Sequence, residues 1–591
     1  MFLIKTALTR YWQEQEEDPL FLGQWCLNFE NREHALLSKK HAILDYHWDD
    51  KKKLERDYCY LNKLTQKVLE QLRDNLNSMK GNQYPVRHYE IIFGFWLRMY
   101  LSVIFDRYAC LMLASQRYKI SGTLISTYRE DEFIADNIYY LFDQYPSDEY
   151  NHYLYSKIIS MTDILPYQVS NEQKKIDIAQ VKNSFAKRAG FRSNALFWKF
   201  LIKKYLRFLH KKNRVFLSSL LKDTKEENDF LLKMKERPFF FGFPSKGFLH
   251  FQYDSSLRKK LIFDLGEGDF EKLLNKLLPM QLPINYLEGY DKTGVLCREV
   301  YPENIKVFVA SSAIYSNEYF ARFVADKVCD GAKLICSQYG GGYGVLKYTA
   351  FQDYELSICD HYFSWGWCGQ EKDRHKIIPN PSILINKEKI TPQVNGYILS
   401  ALFEQPRYSY EILSFPISAS GGKRSFRLLS DFLSLLPASI RNRMLIRPPL
   451  YNFGQNQRGM LQEQFPDIAL CENKKSFRER LSESCLFIGT YNSTAFLETL
   501  GMNYPTLVFF NTKEWELSEE AIPYFDLLTD AGILYADPME IAQELSRIIE
   551  DVSLWWNHEK RQVAVAAFIE KFAKNDEKWK DTWVKAISAI G

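Results

Sequence analysis

Three small polar residues, Asn492, Ser493 and Thr494, follow the run Cys485-Leu486-Phe487-Ile488-Gly489 and open a stretch of helical spacing that ends at Gly501. One capping side chain satisfies one or two of the N–H groups left open at a helix start. Three such residues after a glycine exceed that need, and the surplus suits an anion held by hydroxyls and free N–H groups at the positive end of the helix. Glu498 lies four residues beyond Thr494, on the same face and roughly 6 Å further along the axis. A carboxylate there can accept hydrogen bonds from two ribose hydroxyls. Phosphate at the helix tip with ribose on its first turn describes a nucleoside mono- or diphosphate. The plainer alternatives are a helix cap and a solvated glutamate.

A second candidate is SQYGGGYG, residues 337 to 344, directly after AKLIC. Gly340, Gly341 and Gly342 cost conformational entropy, which is repaid where backbone must approach a ligand and offer amides to its oxygen atoms. Gln338 and Lys347 flank this loop as candidate donor contacts. The spacing is neither a Walker loop nor GxGxxG, and a flexible turn is the alternative. Arg447 ends the apolar run MLIR, and Arg407 and Lys423 follow other strand signals; each can neutralise a donor phosphate. Glu516 and Tyr524 come after the strand signal TLVFFN and can line the same cleft.

Acid–base and acceptor chemistry have fewer candidates. Arg98, Ser102 and Asp106 recur every four residues inside FGFWLRMYLSVIFDRYAC, with Arg107 beside them. Charges in so apolar a setting are paired or functional. Either Arg98 and Asp106 form a structural network, or Arg98 and Arg107 face an acceptor with Asp106 as a base. In LDYHWDD, His47, Asp49 and Asp50 fall at an expected strand end, where a general base can sit.

These residues need elements to hold them. Strand signals at 2–8, 19–25 and 42–48 precede a helical stretch over about 51–235. Strands at 306–312, 332–339 and 358–367 then alternate with helices, the pattern of a parallel, helix-covered sheet. Asn380-Pro381 and Thr391-Pro392 bracket a linker, 381–394. Beyond it, strands at 396–403, 411–417, 444–450, 465–471, 485–490, 506–511 and 532–537 alternate with helices, before a helical tail rich in Trp and Lys. The expectation is an α/β chain of two Rossmann-like domains, GT-B-like. Residues 1–380 would form the acceptor side with a helical insertion, and 395–591 the nucleotide-sugar side.

Composition sets outer bounds. With 591 residues, 46% of them hydrophobic, the chain can build at least two cores. The N-terminal MFLIKTALTRYWQEQEEDP has no small-residue cleavage site and does not read as a secretory signal. The most apolar stretch, 91–114, carries Arg98, Asp106 and Arg107, each costing roughly 2.5–3.5 kcal/mol at a bilayer centre, so a buried helix is expected there. The ten cysteines form no CxxC pair and the ten histidines no HExxH. That suits a reducing cytoplasm, and no metal or other cofactor is expected. Residues 178–222 hold twelve Lys/Arg and no acid, interleaved with Phe, Leu and Tyr. A helix of that kind can lie on an anionic membrane; a solvated face or an anion groove are the alternatives. No nucleic-acid recognition motif accompanies the charge.

GQWC (23–26), DYHWDD (45–50), FGFWL with FDR (93–107), DEYNHYLYSKII (148–159), SQYGGGYG, WGW (365–367), GTYNST with FLETL, and EWEL with PYFDLL (514–528) are long, specific segments. From Phe2 to about Pro538 the chain resembles the family of large transferases encoded in bacterial surface-polysaccharide loci. The resemblance implies a cytoplasmic GT-B-like glycosyltransferase, hexosyl or ulosonic in type. It would move a sugar from a nucleotide-activated donor to a polysaccharide or lipid-linked acceptor, with capsule or lipopolysaccharide as product. One position departs from the family: the loop elsewhere reads QHGGGYG, and here Tyr339 replaces the histidine. A phenol with a pKa near ~10 is a poor base at neutral pH, so no proton-transfer role passes to Tyr339. The base is then sought among Asp49, Asp50, Asp106 and His47. Two other readings stand beside this one: another GT-B-fold enzyme, such as a sugar-nucleotide epimerase or glycerophosphate transferase, and a non-catalytic assembly protein.

Overall fold

The computed structural model describes residues 1–12, 17–170, 210–218, 220–221, 223–238, 249, 251–385, 389–416, 418–449, 452–472 and 474–591. The basic stretch 178–222 falls mostly outside them. Two compact units account for the chain. The first holds Met1–Leu22, Lys40–Ala42 and Cys59–Leu334; the second holds Gly23–Lys39, Ile43–Tyr58 and Ile335–Gly591.

In the first unit, β1 (Phe2–Ile4), β2 (Pro19–Phe21), β3 (Ala42–Ile43), β4 (Gly122–Ile125) and β5 (Gln168–Val169) form a sheet of order β3-β2-β1-β4-β5. β1 pairs in parallel with β2 and β4, and β4 in parallel with β5. Long helices α1 (Lys51–Lys80) and α2 (Val86–Arg117) separate β3 from β4, and α3 (Asp148–Thr162) precedes β5. α2 is buried along most of its length because it packs on α3 and on α4 (Glu318–Cys329). That accounts for the apolar run 91–114 without a membrane, and among the described residues no helix is long and apolar enough to cross one. A further parallel pair, β6 (Val215–Ser218) and β7 (Val307–Ala310), completes this unit.

The second unit takes over inside β8 (Lys333–Ser337), which runs parallel to β9 (His361–Ser364), as β9 does to β10 (Ile377–Pro379). Its larger sheet has β11 (Tyr397–Ala401), β12 (Met444–Arg447), β13 (Ala469–Leu470), β14 (Ser484–Gly489), β15 (Thr506–Phe509) and β16 (Leu534–Tyr535) in the order β13-β12-β11-β14-β15-β16. All five pairings are parallel, with Ala401 opposite Gly489 and Gly489 opposite Val508. The runs MLIR, CLFIG and TLVF are apolar without alternation because both faces of such a sheet are covered. Helices α5 (Ser418–Leu435), α6 (Thr494–Gly501), α7 (Ile522–Asp530), α8 (Pro538–Ile548) and α9 (Glu559–Phe572) do much of the covering. The order reverses between β11 and β14, the doubly wound pattern whose switch point opens a crevice at the strand ends.

The α/β expectation holds, with differences of detail. Strands of the N-terminal half fall into two groups rather than one, because β4, β5 and β6 lie inside the stretch read as helical. Segment 411–416 is irregular; its chain turns directly into α5, where Gly421 lets the backbone pass Pro416, and an added Cβ would meet Pro416 at 2.9 Å. The units part at 334/335, not at 381–394, and the segment around DYHWDD belongs with the second unit.

Candidate functional site

The switch point of the six-stranded sheet is stitched shut at its base. Thr490 Oγ1 donates to the Ala401 carbonyl at 2.7 Å, joining the ends of β14 and β11. The next ring, Tyr491, stacks on Phe403 with centroids 5.1 Å apart. Ser493 occupies the N-cap of α6 with extended backbone, yet its side chain makes no capping bond. Thr494 Oγ1 instead accepts the N–H of Gly341 at 2.8 Å. Asn492 is 4% exposed, and neither its amide nitrogen nor its oxygen has a hydrogen-bond partner. An idle buried amide costs about 1–3 kcal/mol, so this residue is poorly explained as structural filling.

The glycine loop therefore lies directly on the polar turn. A Cβ on Gly341 would come within 2.5 Å of the Ser493 carbonyl carbon and 2.6 Å of the Thr494 nitrogen; one on Gly340 would come within 3.1 Å of Thr494 Oγ1. Gly342 and Gly344 have φ of +92° and +70°, the left-handed region where a side chain is strained. The two motifs, about 150 residues apart in sequence, form one surface of backbone amides and hydroxyls.

Other expected donor residues divide. Tyr491 reports on Arg447 and Glu498: burial raises its phenol pKa, Ser493 and Arg447 oppose the rise, and Glu498 adds to it. Ser493 by a hydrogen bond and Arg447 and Glu498 by their charges thus all act on one phenol. Lys347 and Glu516 line a cleft of about 640 Å³ with Thr512, Asp526, Tyr535 and Glu540. Both are ion-paired, Lys347 to Glu55 at 3.3 Å and Glu516 to Lys51 at 3.2 Å. Gln338, expected at the donor, is a brace instead. Its Nε2 donates to Gly340 O (2.9 Å), while its Oε1 accepts from Trp365 N–H (2.9 Å) and Trp367 Nε1–H (2.7 Å). Arg407 is likewise turned inward, donating to the Trp25 carbonyl.

Sequence reasoning passed over a second brace, Glu355. Its carboxyl is fully buried and receives Tyr343 Oη–H at 3.4 Å and Tyr362 Oη–H at 3.1 Å. Burial pushes its pKa up to about 8, against the two phenols that lower it. A glutamate on the apolar side of helical AFQDYELSI was the available signal.

The candidate bases have internal partners. Asp49 takes Arg424 through both oxygens, Nη2 at 2.9 Å and Nη1 at 3.0 Å, and the same guanidinium holds Glu514 at 2.8 Å. Asp50 caps α1, accepting from the N–H groups of Lys52 (2.9 Å) and Lys53 (3.2 Å). His47 is buried against the rings of Tyr46 and Trp48, 4.0 Å from Asp57. In the first unit Arg98 and Asp106, read either as one structural network or as acceptor-side and base residues, meet different partners. Arg98 reaches Asn62 (2.8 Å) and Glu90 (3.5 Å), whereas Asp106 pairs with its neighbour Arg107 (2.5 Å). Arg107, wholly buried, passes Nε–H to Asn151 Oδ1 at 2.8 Å, so the polar row of α2 holds α3 in place. These contacts pair the buried charges of Arg107 and Asp106 with each other and tie α2 to α3.

The family described as LIC12162 family transferase matches residues 1–587. No curated protein matches. Among solved structures, UDP-GlcNAc 2-epimerase from Neisseria meningitidis bound to UDP-GlcNAc is 15% identical with a TM-score of 0.32, covering 53% of this chain and 82% of its own. MurG from Acinetobacter baumannii is 12% identical with a TM-score of 0.30, covering 52% and 79%. An α,α-trehalose-phosphate synthase (UDP-forming) from Burkholderia vietnamiensis is 11% identical, TM-score 0.30, covering 52% and 76%. Scores at this level assign neither a fold nor an activity to the chain.

Proposed function

Because this chain belongs to the LIC12162 family of transferases, we propose that the group it moves is a sugar, taken from a nucleotide-activated donor held at the switch point of the six-stranded sheet. The acceptor is a bacterial surface polysaccharide or its lipid-linked precursor. The observation that carries this reading is the junction of Gly341 with Thr494. Glycines there are obligatory by contact, and the N–H groups at the start of α6 are not consumed by the hydroxyls beside them. Such a surface suits phosphate oxygens, with Ser493 and the amides of the glycine loop around the leaving group and Arg447 adding charge. Glu498 holds ribose. Asn492 gains its missing partners from the ligand or from the turn's adjustment around it. Lys347 and Glu516 border the donor side.

The transfer needs no metal in this reading, since N–H groups and cations supply the electrophilic stabilisation. Turnover should survive a chelator; activity lost on chelation and restored by magnesium or manganese would overturn that. The cationic stretch 178–222 supports docking on an anionic membrane at the cytoplasmic face. Equal sedimentation with neutral and anionic liposomes would refute it.

The direct experiment is calorimetric titration of UDP, CMP and GDP into the wild type and Gly341→Ala. One nucleotide should bind the wild type, and the variant should lose most of that affinity. Its added methyl displaces the loop from the turn, at about 1–3 kcal/mol in packing alone. Binding of none of the three, or equal binding to both proteins, would sink the assignment.

A further inference from the structure

Two buried oxygen atoms of the first unit meet no donor among the described residues, and they sit on side chains hydrogen-bonded to each other. Glu318, the first residue of α4, is 5% exposed; its Oε1 accepts the Asn285 amide N–H at 2.6 Å, while its Oε2 accepts nothing. Asn285, 4% exposed and set in the short helical turn Ile284–Leu287, likewise has its Oδ1 without a partner. Free N–H groups at the start of α4 are already spent: Asn317 Oδ1, at the cap, accepts those of Tyr319 and Phe320, each at 3.1 Å. The backbone brings a third oxygen-bearing residue alongside. The N–H groups of Ile284 and Asn285 donate to the carbonyls of Ala135 and Asp136, both at 2.9 Å, and the charge of Asp136 is felt at Glu318.

An idle buried acceptor is costly, and an idle carboxylate oxygen more so. Burial raises the Glu318 pKa to about 7, against the Asn285 bond and with help from the charge of Asp136. Three things can meet the two oxygens. A water donates to both but leaves the repulsion between Glu318 and Asp136 in place. A proton on Oε2, shared with Asn285 Oδ1, quiets Glu318 alone. A cation meets both oxygens and draws on the negative charge of both carboxylates at once. The donor set holds oxygen only, two carboxylates and an amide, which suits hard cations rather than zinc or copper.

We propose that Glu318, Asn285 and Asp136 bind a hard divalent cation, calcium or magnesium, which ties the start of α4 to the turn at 284–287 and the loop at 135–136. Glu318 Oε2 and Asn285 Oδ1 are its ligands, and Asp136 adds the second negative charge. The ion is structural: α4 packs along α2, so fixing its start fixes part of the helical layer of the first unit. None of these residues enters the proposed transfer, and the inference does not rest on that reading.

The test is melting of the full chain after dialysis against a chelator, then with calcium, magnesium or potassium chloride at equal ionic strength, beside elemental analysis of the retained metal. Calcium or magnesium should raise the midpoint by roughly 5 °C near saturation, and potassium should not. A stoichiometric amount of that metal should stay with the chain. Glu318→Gln, which keeps the shape and removes the charge, should lose both the shift and the retained metal. Asn285→Asp keeps an oxygen at the Oδ1 position and should still respond, whereas Asn285→Leu should not; this pair decides the site if Glu318→Gln fails to fold. A wild type indifferent to both divalent ions, or Glu318→Gln responding as the wild type does, overturns the proposal. A midpoint that ignores the ions and instead falls as pH rises from about 4.5 through about 7, but stays level in Glu318→Gln, would mean a proton only and refute the cation. Nucleotide affinity of the ion-free chain, measured below its melting range, should be unchanged; its loss there would overturn the structural role.

Discussion

At the switch point of the six-stranded sheet a glycine amide meets a threonine hydroxyl, whereas at that of the first sheet, between β1 and β4, the Ser126 hydroxyl meets the His152 imidazole. The first arrangement is made of backbone. Its donors are N–H groups whose direction is set by the chain itself, and its requirement is the absence of side chains at Gly340 and Gly341. The second is made of side chains, and each must be held by something behind it. Ser126 is held by Ser156 and Tyr11, and His152 by its stacking on Tyr11. Its helix α3 is tied through Asn151 to Arg107 of α2. A backbone arrangement is broken locally by one added methyl, while a side-chain arrangement can be broken from a distance.

The largest effect that could break this contrast is in that support. Arg107→Met leaves the buried Asp106 carboxylate without its guanidinium and Asn151 Oδ1 without its donor. Breaking one side of a buried pair costs about 3–5 kcal/mol, so the urea midpoint should fall by a corresponding amount. Nucleotide binding should persist under conditions where the second unit stays folded. A change under about 1 kcal/mol would show that the pair is not what holds α3. Nucleotide binding lost together with the fold of the first unit would show that the two regions do not stand apart energetically.

The two regions also differed in how far they could be read from the sequence, for the same physical reason. GTYNST and SQYGGGYG announce themselves because hydroxyls and glycines act through adjacent backbone, so their meaning is local. Even so, their mutual contact through Gly341 and Thr494 was not visible, since no spacing within either motif reports the other. Ser126, His152 and Tyr11 come from three segments, and each alone reads as an ordinary residue of a helix or strand. The polar row of α2 was legible as needing partners. Its pairing was not: Asp106 chose the adjacent Arg107 over Arg98, because Arg98 found Glu90 and Asn62. β4, β5 and β6 escaped notice because short strands of two to four residues carry little periodicity.

A middle-sized effect sharpens the contrast through pH. Backbone amides do not titrate, but the brace behind the glycine loop does. Glu355 has a folded pKa of about 8 against an ordinary 4.5, raised by burial. A folded value above the unfolded one means that the stability contributed by the protonated group is fully present below about pH 4.5 and is lost as pH rises through about 8. Tyr343 and Tyr362 donate to this carboxyl, and burial holds the Tyr362 phenol well above its ordinary range. Unfolding midpoints should decline between those pH values in the wild type and decline less in Glu355→Gln, which stays neutral throughout. Parallel curves for the two proteins would assign the pH dependence elsewhere.

The smallest expected effect separates the two hydroxyls that begin α6. Ser493 occupies the cap position without capping, so Ser493→Ala should leave the melting temperature nearly unchanged. Thr494 carries the contact with Gly341, so Thr494→Val, which keeps the shape and removes the hydroxyl, should cost about 0.5–1.5 kcal/mol of stability. Nucleotide affinity should follow a different order. A hydroxyl given to a charged phosphate oxygen is worth about 1.5–3 kcal/mol, and Ser493 is the one not already committed to the loop. The serine variant should therefore lose more binding than stability. The valine variant should lose both, its binding only as far as the loop drifts from the turn. Were Ser493→Ala to melt lower by a full cap's worth, roughly 0.5–2 kcal/mol, with nucleotide affinity intact, the polar turn would be a helix cap after all. The donor site would then have to be sought elsewhere along the strand ends.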